Sequence, residues 1–307
     1  VTNVSDGEKT NTITYTEGEK FNANNYSITK NEGKLSITPV TDEVLVEITG
    51  NTASVTYDGK KHTVEGYDAS SISNTLYKAS DFKYNGDAKA EGTDADTYPM
   101  GLKVSDFENT SKNFTNVTFV VTDGSLTISK RPVTLTSASD EKVYDGTALE
   151  KKEVTASTGE NEGFVEGQGA TYNVTGSQTN VGESDNEFTY TLNEGTKADN
   201  YTITKELGKL KVTPVKDTVT VTITENSGTE KYDGTEKTVT GYTVSISNPL
   251  YKATDFTFSG NAEVKGTDAG TYDMKLKAED FKNNNTNFAE VKFVIVDGSL
   301  TISPRSV

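Results

Sequence analysis

His62 is the only histidine in the chain, and imidazole is the side chain best suited to move protons near neutral pH or to bind a metal. The chain has no cysteine and no second histidine, so no His/Cys zinc set is available, and nothing marks His62 as part of a Ser-His triad. In a second copy of the same segment the matching residue is Lys237, a swap that a general base or ligand would not be expected to tolerate. Carboxylates cluster at Asp94/Asp96, at Asp140/Glu141/Asp145 and at Glu183/Asp185. Calcium takes six to eight oxygens, and none of these runs has the spacing of an EF-hand loop; Asp96 is moreover replaced by Gly270 in the second copy. A glycosidase needs two carboxylates across a cleft, and no catalytic domain is evident around these. The chain has no tryptophan, so a sugar platform would fall to tyrosines such as Tyr84 (aligned with Phe258) and Tyr98 (aligned with Tyr272), although packing in a core is the expected fate of these rings. Lysine and asparagine, the partners of an isopeptide cross-link, are abundant without a recognisable signature. No catalytic, cofactor-binding or metal-binding residue is therefore assigned, no cofactor is expected, and the chain is not expected to be an enzyme.

The elements that carry these residues are short and thinly apolar. Hydrophobic residues make up 32% of the chain, below the ~45–50% usual for globular domains, so each module buries a thin core. Tyrosine (15), phenylalanine, valine, isoleucine and threonine suit a pleated, half-buried surface. The formal net charge of −16 and the lack of any Lys/Arg cluster beyond pairs such as Lys60-Lys61 argue against nucleic acid and against an anionic membrane surface as partners. No apolar run approaches the ~20 residues of a membrane-spanning helix, so no membrane insertion is expected.

Internal repetition is the strongest signal. Residues 92–129 and 266–303 are identical at 24 of 38 positions, and Tyr57-Asp58-Gly59 recurs as Tyr232-Asp233-Gly234. A second pair matches residues 24–40 with 199–215. The array thus alternates two types: residues 1–40 form the C-terminal half of an A-type module, 41–131 a B-type module, 132–215 an A-type module and 216–307 a B-type module. The chain opens inside a repeat, as a fragment of a longer protein would. Each module closes on a glycine followed by an alternating strand, as from Gly124 to Ile128, and proline stands at the joints at Pro39, Pro132, Pro214 and Pro304.

Alternation predicts strands at Val44–Ile48, Val117–Val121, Phe188–Leu192, Val219–Ile223 and Val291–Ile295. Asp58-Gly59, Asn85-Gly86, Asp123-Gly124, Asp233-Gly234 and Asp297-Gly298 read as tight turns in which glycine supplies a positive φ. In Tyr-Asp-Gly, the tyrosine is expected to pack inward and the aspartate to accept backbone N–H bonds. Helix is confined to single turns near Leu76–Phe82 and Val104–Phe107. The predicted fold is all-β: tandem small β-sandwich (Ig-like) modules, with a β-grasp-like module as the alternative, arranged as an elongated rod. Residues 1–40 lack the other half of their module, so they should fray or pair with another chain.

Tyr144-Asp145-Gly146-Thr147, Gly270-Thr271-Tyr272 and Asn200-Tyr201-Thr202-Ile203-Thr204, followed by Gly208-Lys209-Leu210-Lys211-Val212-Thr213-Pro214, resemble the MBG/YDG-type repeats of bacterial surface proteins. The B-type modules depart from that pattern in carrying Asn113-Phe114 and Asn287-Phe288 where Asn-Tyr is expected. The resemblance implies the tandem-repeat region of a bacterial adhesin-like protein, extracellular and either anchored to the cell wall or secreted. There it would act as a non-catalytic stalk, or alternatively bind a host glycan, mucin or protein itself. A monomeric rod is the expected state.

Overall fold

The computed structural model describes all 307 residues, and they are all-β apart from short 3-10 turns. The chain forms two compact units. One comprises Val1–Val133, Thr158–Gln168 and Gly195–Ile203; the other comprises Thr134–Ser157, Gly169–Glu194 and Thr204–Val307. Residues 132–215 thus contribute segments to both.

In the first unit, strand Val44–Gly50 lies parallel to Val117–Thr122, with Val44 opposite Val117 and Thr49 opposite Thr122. The alternation foreseen from the sequence is real: Val44, Val46 and Ile48 are buried while Glu47 and Thr49 face out. After a break at Asn51 the chain continues as Thr52–Thr56, which pairs in parallel with Ser125–Ser129. The first and last strands of the module therefore run side by side along their whole length and step together from one sheet to the next. Tyr67–Ile72 flanks the first sheet and Thr97–Pro99 the second, both antiparallel. A ring cluster of Tyr77, Phe82, Phe107, Phe114 and Phe119 fills the core under the first sheet. The Tyr77 hydroxyl lies 3.1 Å from the Asp81 carbonyl oxygen and 3.0 Å from Asn109 Oδ1, so the one hydrogen of this buried phenol has an acceptor. The two helical turns expected from the sequence are 3-10 turns at Ala79–Asp81 and Val104–Asp106.

The second unit repeats this plan. Val219–Glu225 lies parallel to Val291–Val296, and Gly228–Lys231 parallel to Ser299–Ser303. Tyr251 matches Tyr77, its hydroxyl lying 3.2 Å from the Asp255 carbonyl oxygen and 2.9 Å from Asn283 Oδ1. The same unit holds the A-type version: Asp140–Val143 runs parallel to Lys209–Thr213, with Gly182–Asp185 antiparallel on its other side.

One class of turn differs from expectation. Gly59, Gly146 and Gly234 do adopt φ of 78°, 79° and 80°. Gly86, however, has no positive φ, and neither do Gly124 and Gly298. The latter two mark the break between the two halves of the last strand, and their role is close approach. A Cβ on Gly124 would sit 2.4 Å from the Asn51 carbonyl oxygen, and one on Gly298 would sit 2.5 Å from the Asn226 carbonyl oxygen. Gly208 is placed likewise against Ser137 and Ala138.

Residues 1–40 pair with one another only as Lys9–Asn11 with Gly33–Leu35, none of these six residues is buried, and beside this they form two 3-10 turns, Val4–Asp6 and Ala23–Asn25, and a bridge from Val40 to Phe114. The contrast with the whole A-type module is direct. Tyr26 is 63% exposed and Tyr201 3%; Leu35 is 46% exposed and Leu210 0%. The strand that covers Leu210, Asp140–Val143, belongs to the front half of the module, which residues 1–40 do not contain.

Candidate functional site at the repeat joints

Three asparagines stand at an even spacing of 87, at Asn113, Asn200 and Asn287, each directly before an aromatic ring. Each reaches into the preceding repeat. Asn113 Oδ1 accepts the Val4 N–H at 2.9 Å, and its Nδ2 donates to Asn3 Oδ1 at 3.0 Å. Asn200 Oδ1 accepts the Ala95 N–H at 2.7 Å, and its Nδ2 donates to Asp94 Oδ1 at 2.9 Å. Asn287 Oδ1 accepts the Val181 N–H at 2.7 Å, and its Nδ2 donates to Asn180 Oδ1 at 3.1 Å. One carboxamide thus uses both its acceptor and its donor on a two-residue loop: an Asn or Asp that offers Oδ1, then a residue that offers only its backbone N–H. The 3-10 turn Ala198–Asn200 places Asn200, which is 1% exposed, and lets Tyr201 begin the next strand.

The aromatic ring beside the asparagine meets the tyrosine of Tyr-Asp-Gly from the preceding repeat. Tyr57 packs edge-on to Tyr201 with centroids 5.5 Å apart, and Tyr144 packs edge-on to Phe288 at 5.7 Å. Tyr144 packs inward as expected, against Leu149, Leu210 and Val212 of its own module, and meets the next repeat as well. Tyr57 is buried, but its ring lies on the following repeat, where Gln168 Nε2 donates to its hydroxyl at 2.8 Å. The Tyr201 hydroxyl in turn donates to Gln168 Oε1.

At the joint between residues 41–131 and 132–215, charge is added. Lys197 Nζ lies 2.6 Å from Asp94 Oδ2. Bonds from Lys197 and then Asn200 hold the Asp94 carboxyl below the usual carboxylate range. Arg131 is 8% exposed and spends its donors on main-chain carbonyls, Nε on Gly163 at 2.8 Å and Nη2 on Gly159 at 3.0 Å and on Glu162 at 2.9 Å. Nη1 adds a bond of 3.5 Å to the Tyr57 carbonyl, so this planar guanidinium binds four carbonyls, one before the joint and three after it, and fixes the chain direction where one repeat passes to the next.

The aspartate of Tyr-Asp-Gly behaves as expected. Asp58, Asp145 and Asp233 each accept the N–H two residues on, at 2.9 Å. Each also has a cationic or ring-nitrogen partner: His62 at 2.8 Å, Lys142 at 2.8 Å and Lys237 at 2.7 Å. The exchange of His62 for Lys237 is thereby explained, since both brace the same turn. Burial pushes the Asp58 carboxyl up, and bonds from His62 and the Lys60 N–H more than reverse this.

The other candidates stay apart from any shared centre. Asp96 accepts the Thr97 N–H, Asp140 the Glu141 N–H, Glu141 faces Lys211, and Asp185 lies 2.7 Å from Lys209 with Glu183 further off at 3.9 Å. No three His, Asp or Glu side chains converge as a metal would require. Tyr84 packs within its module against Phe107 and edge-on to Tyr67, and Phe258 stacks on Phe281 and packs edge-on to Tyr242. Tyr98 turns its hydroxyl to the Asp94 carbonyl, and Tyr272 turns its own to Asp268. An open cleft of about 750 Å³ beside Asp58, His62 and Arg131 has no tyrosine or phenylalanine in its wall. Reasoning from sequence named Asn113, Asn200 and Asn287 as parts of a motif but missed their place at the joints, although their even spacing was there to read. It also missed Glu225, a buried carboxylate that accepts the Leu276 and Gly298 N–H groups and stands where the other B-type copy has Gly50.

Comparison with known proteins gives two family matches, the MBG domain over residues 218–304 and the YDG domain over residues 129–207. No curated protein matches the chain. Among solved structures, the I9-I11 tandem from titin aligns over 85% of this chain and 100% of that one at 12% identity, with a TM-score of 0.18 that carries no weight. The motifs, the repeated plan and the two family matches agree, and residues 129–304 are repeat modules of the MBG/YDG type.

Proposed function

We propose that this chain is the repeat region of a bacterial surface or secreted protein of adhesin type, and that it serves as a non-catalytic stalk which holds another part of that protein away from the cell. One observation carries this reading: the same asparagine-to-amide joint is built three times, at Asn113, Asn200 and Asn287, so the side chains that recur along the array are spent on connecting repeats. A joint that combines two hydrogen bonds, an aromatic contact and a proline-bearing connector restrains the angle between neighbours far more than a flexible linker would.

Small-angle X-ray scattering of the chain in dilute solution tests it. A stalk predicts a radius of gyration of roughly 30 Å or more, whereas a chain of this length collapsed into one body gives about 19 Å. A value near the lower figure would end the stalk reading.

A further inference from the structure

Asn85-Gly86 is the one Asn-Gly pair in the chain. Such a pair is open to attack on itself, because glycine has no side chain to keep its nitrogen away from the asparagine Cγ. The fold leaves that path clear. Asn85 and Gly86 are both exposed, at the bend that leaves strand Phe82–Tyr84. The Asn85 N–H donates to the Asp106 carbonyl at 2.8 Å, whereas no hydrogen bond holds the Gly86 N–H. The Asn85 carboxamide is tied only by a long bond of 3.4 Å from Nδ2 to Glu108 Oε2.

Packing fixes the glycine. A Cβ on Gly86 would come within 2.5 Å of the Tyr84 hydroxyl oxygen, and one on Gly260, in the matching bend of the second B-type module, within 2.7 Å of the Phe258 ring. The residue before it is free to vary. Asn85 is matched by Ser259, whose N–H makes the same bond, to the Asp280 carbonyl at 2.9 Å. The two modules thus build one bend, with a carboxamide in the first and a hydroxyl in the second.

We propose that Asn85 is a site of spontaneous covalent modification in the folded chain, converting to aspartate and isoaspartate while Ser259 stays inert. The Gly86 nitrogen loses its proton to solvent base and bonds to Asn85 Cγ; Nδ2 takes up a proton and leaves as ammonia. Water then opens the cyclic imide. Breaking the new N–Cγ bond gives aspartate. Breaking the original peptide bond gives isoaspartate, whose main chain runs through Cγ and is one carbon longer. Aspartate sets a carboxylate against Glu108 where an amide donor stood, and like charges facing each other loosen the pairing of Phe82–Tyr84 with Phe107–Asn109. One B-type module of the array therefore ages and the other does not. The proposal is independent of the stalk reading.

The test stores the intact chain in mildly alkaline buffer at body temperature and maps its peptides by mass spectrometry. Residue 85 should gain about 1 Da, in two products separable by chromatography, at a rate within about tenfold of that in the urea-unfolded chain. Asn85→Ser should abolish the change, and Ser259→Asn should create a second site at residue 259. If residue 85 converts in urea but not in the folded chain, the fold shields it and the proposal is wrong. If the Ser259→Asn variant converts at residue 85 alone, the bend does not set the reaction and the proposal is equally wrong.

Discussion

Asn200 concentrates the joint in one side chain. Its carboxamide is almost fully buried and uses both ends, so truncation leaves the Ala95 N–H and one Asp94 oxygen without their partner. Asn200→Ala should therefore cost about 1–3 kcal/mol, read as a lower midpoint in urea unfolding, with Asn200→Asp recovering the acceptor but placing a second carboxylate against Asp94. Acid should act at the same place. A carboxyl whose folded value is depressed, as Asp94's is by Lys197 and Asn200, contributes stability above its unfolded value near 3.8, and loses it as pH falls through the lower folded value. The Ala95 amide should accordingly exchange faster as pH drops below about 4, after correction for intrinsic rates; an unchanged protection factor would show that Asp94 takes no part. Alkali acts elsewhere. Burial, and then the charges of Asp81 and Asp255, push Tyr77 and Tyr251 up to about 12. Their contribution is complete below the ordinary value of 10.0 and disappears as pH rises from there towards 12. Phenolate absorbance and loss of strand signal should rise together in that window.

Strands and their glycines make the next level. Gly124, Gly208 and Gly298 press against the backbone of a neighbouring strand, whereas Gly33, at the same place in the half module, has nothing within 4 Å of a built Cβ. Gly124→Ala or Gly298→Ala should destabilise its module by about 1–3 kcal/mol or more, while Gly33→Ala should stay within about 0.5 kcal/mol; thermal melts of the three variants separate them. The contrast also shows how much the sequence revealed. Val44, Val46 and Ile48 announced their strand because one face is buried and the other is not. The closing glycines were visible as a motif, but their purpose was not, since close approach depends on a strand more than 70 residues away in sequence, such as Asn51 for Gly124. The parallel pairing of first and last strands was hidden for the same reason. At the joints, Asn113-Phe114 and Asn287-Phe288 looked like departures from an Asn-Tyr pattern. In space the asparagine is the working part, and either ring serves, because Phe288 meets Tyr144 edge-on as Tyr201 meets Tyr57. A hydroxyl is needed only where Gln168 is present to bond it.

For the molecule as a whole, residues 1–40 are the part most easily spared. Their apolar side chains Ile13, Tyr15, Tyr26, Ile28 and Leu35 are open, and they add little buried surface of their own. Removing residues 1–38 should shift the main unfolding transition by less than about 2 °C, and a larger drop in calorimetry would show that the half module stabilises its neighbour. The joints have a different consequence. At each one the receiving atom is a main-chain N–H, belonging to Val4, Ala95 or Val181, and the preceding residue need only present an Oδ1, which Asn3, Asp94 and Asn180 all do. Main chain is the same at every residue, so the socket reads almost nothing of the sequence that carries it. Unequal crossing-over that adds or drops an A–B pair whole then renews only kinds of junction already in use, one with Arg131 and the other with Thr38 or Thr213, so that the length of the array drifts in steps of two repeats while its grammar is kept.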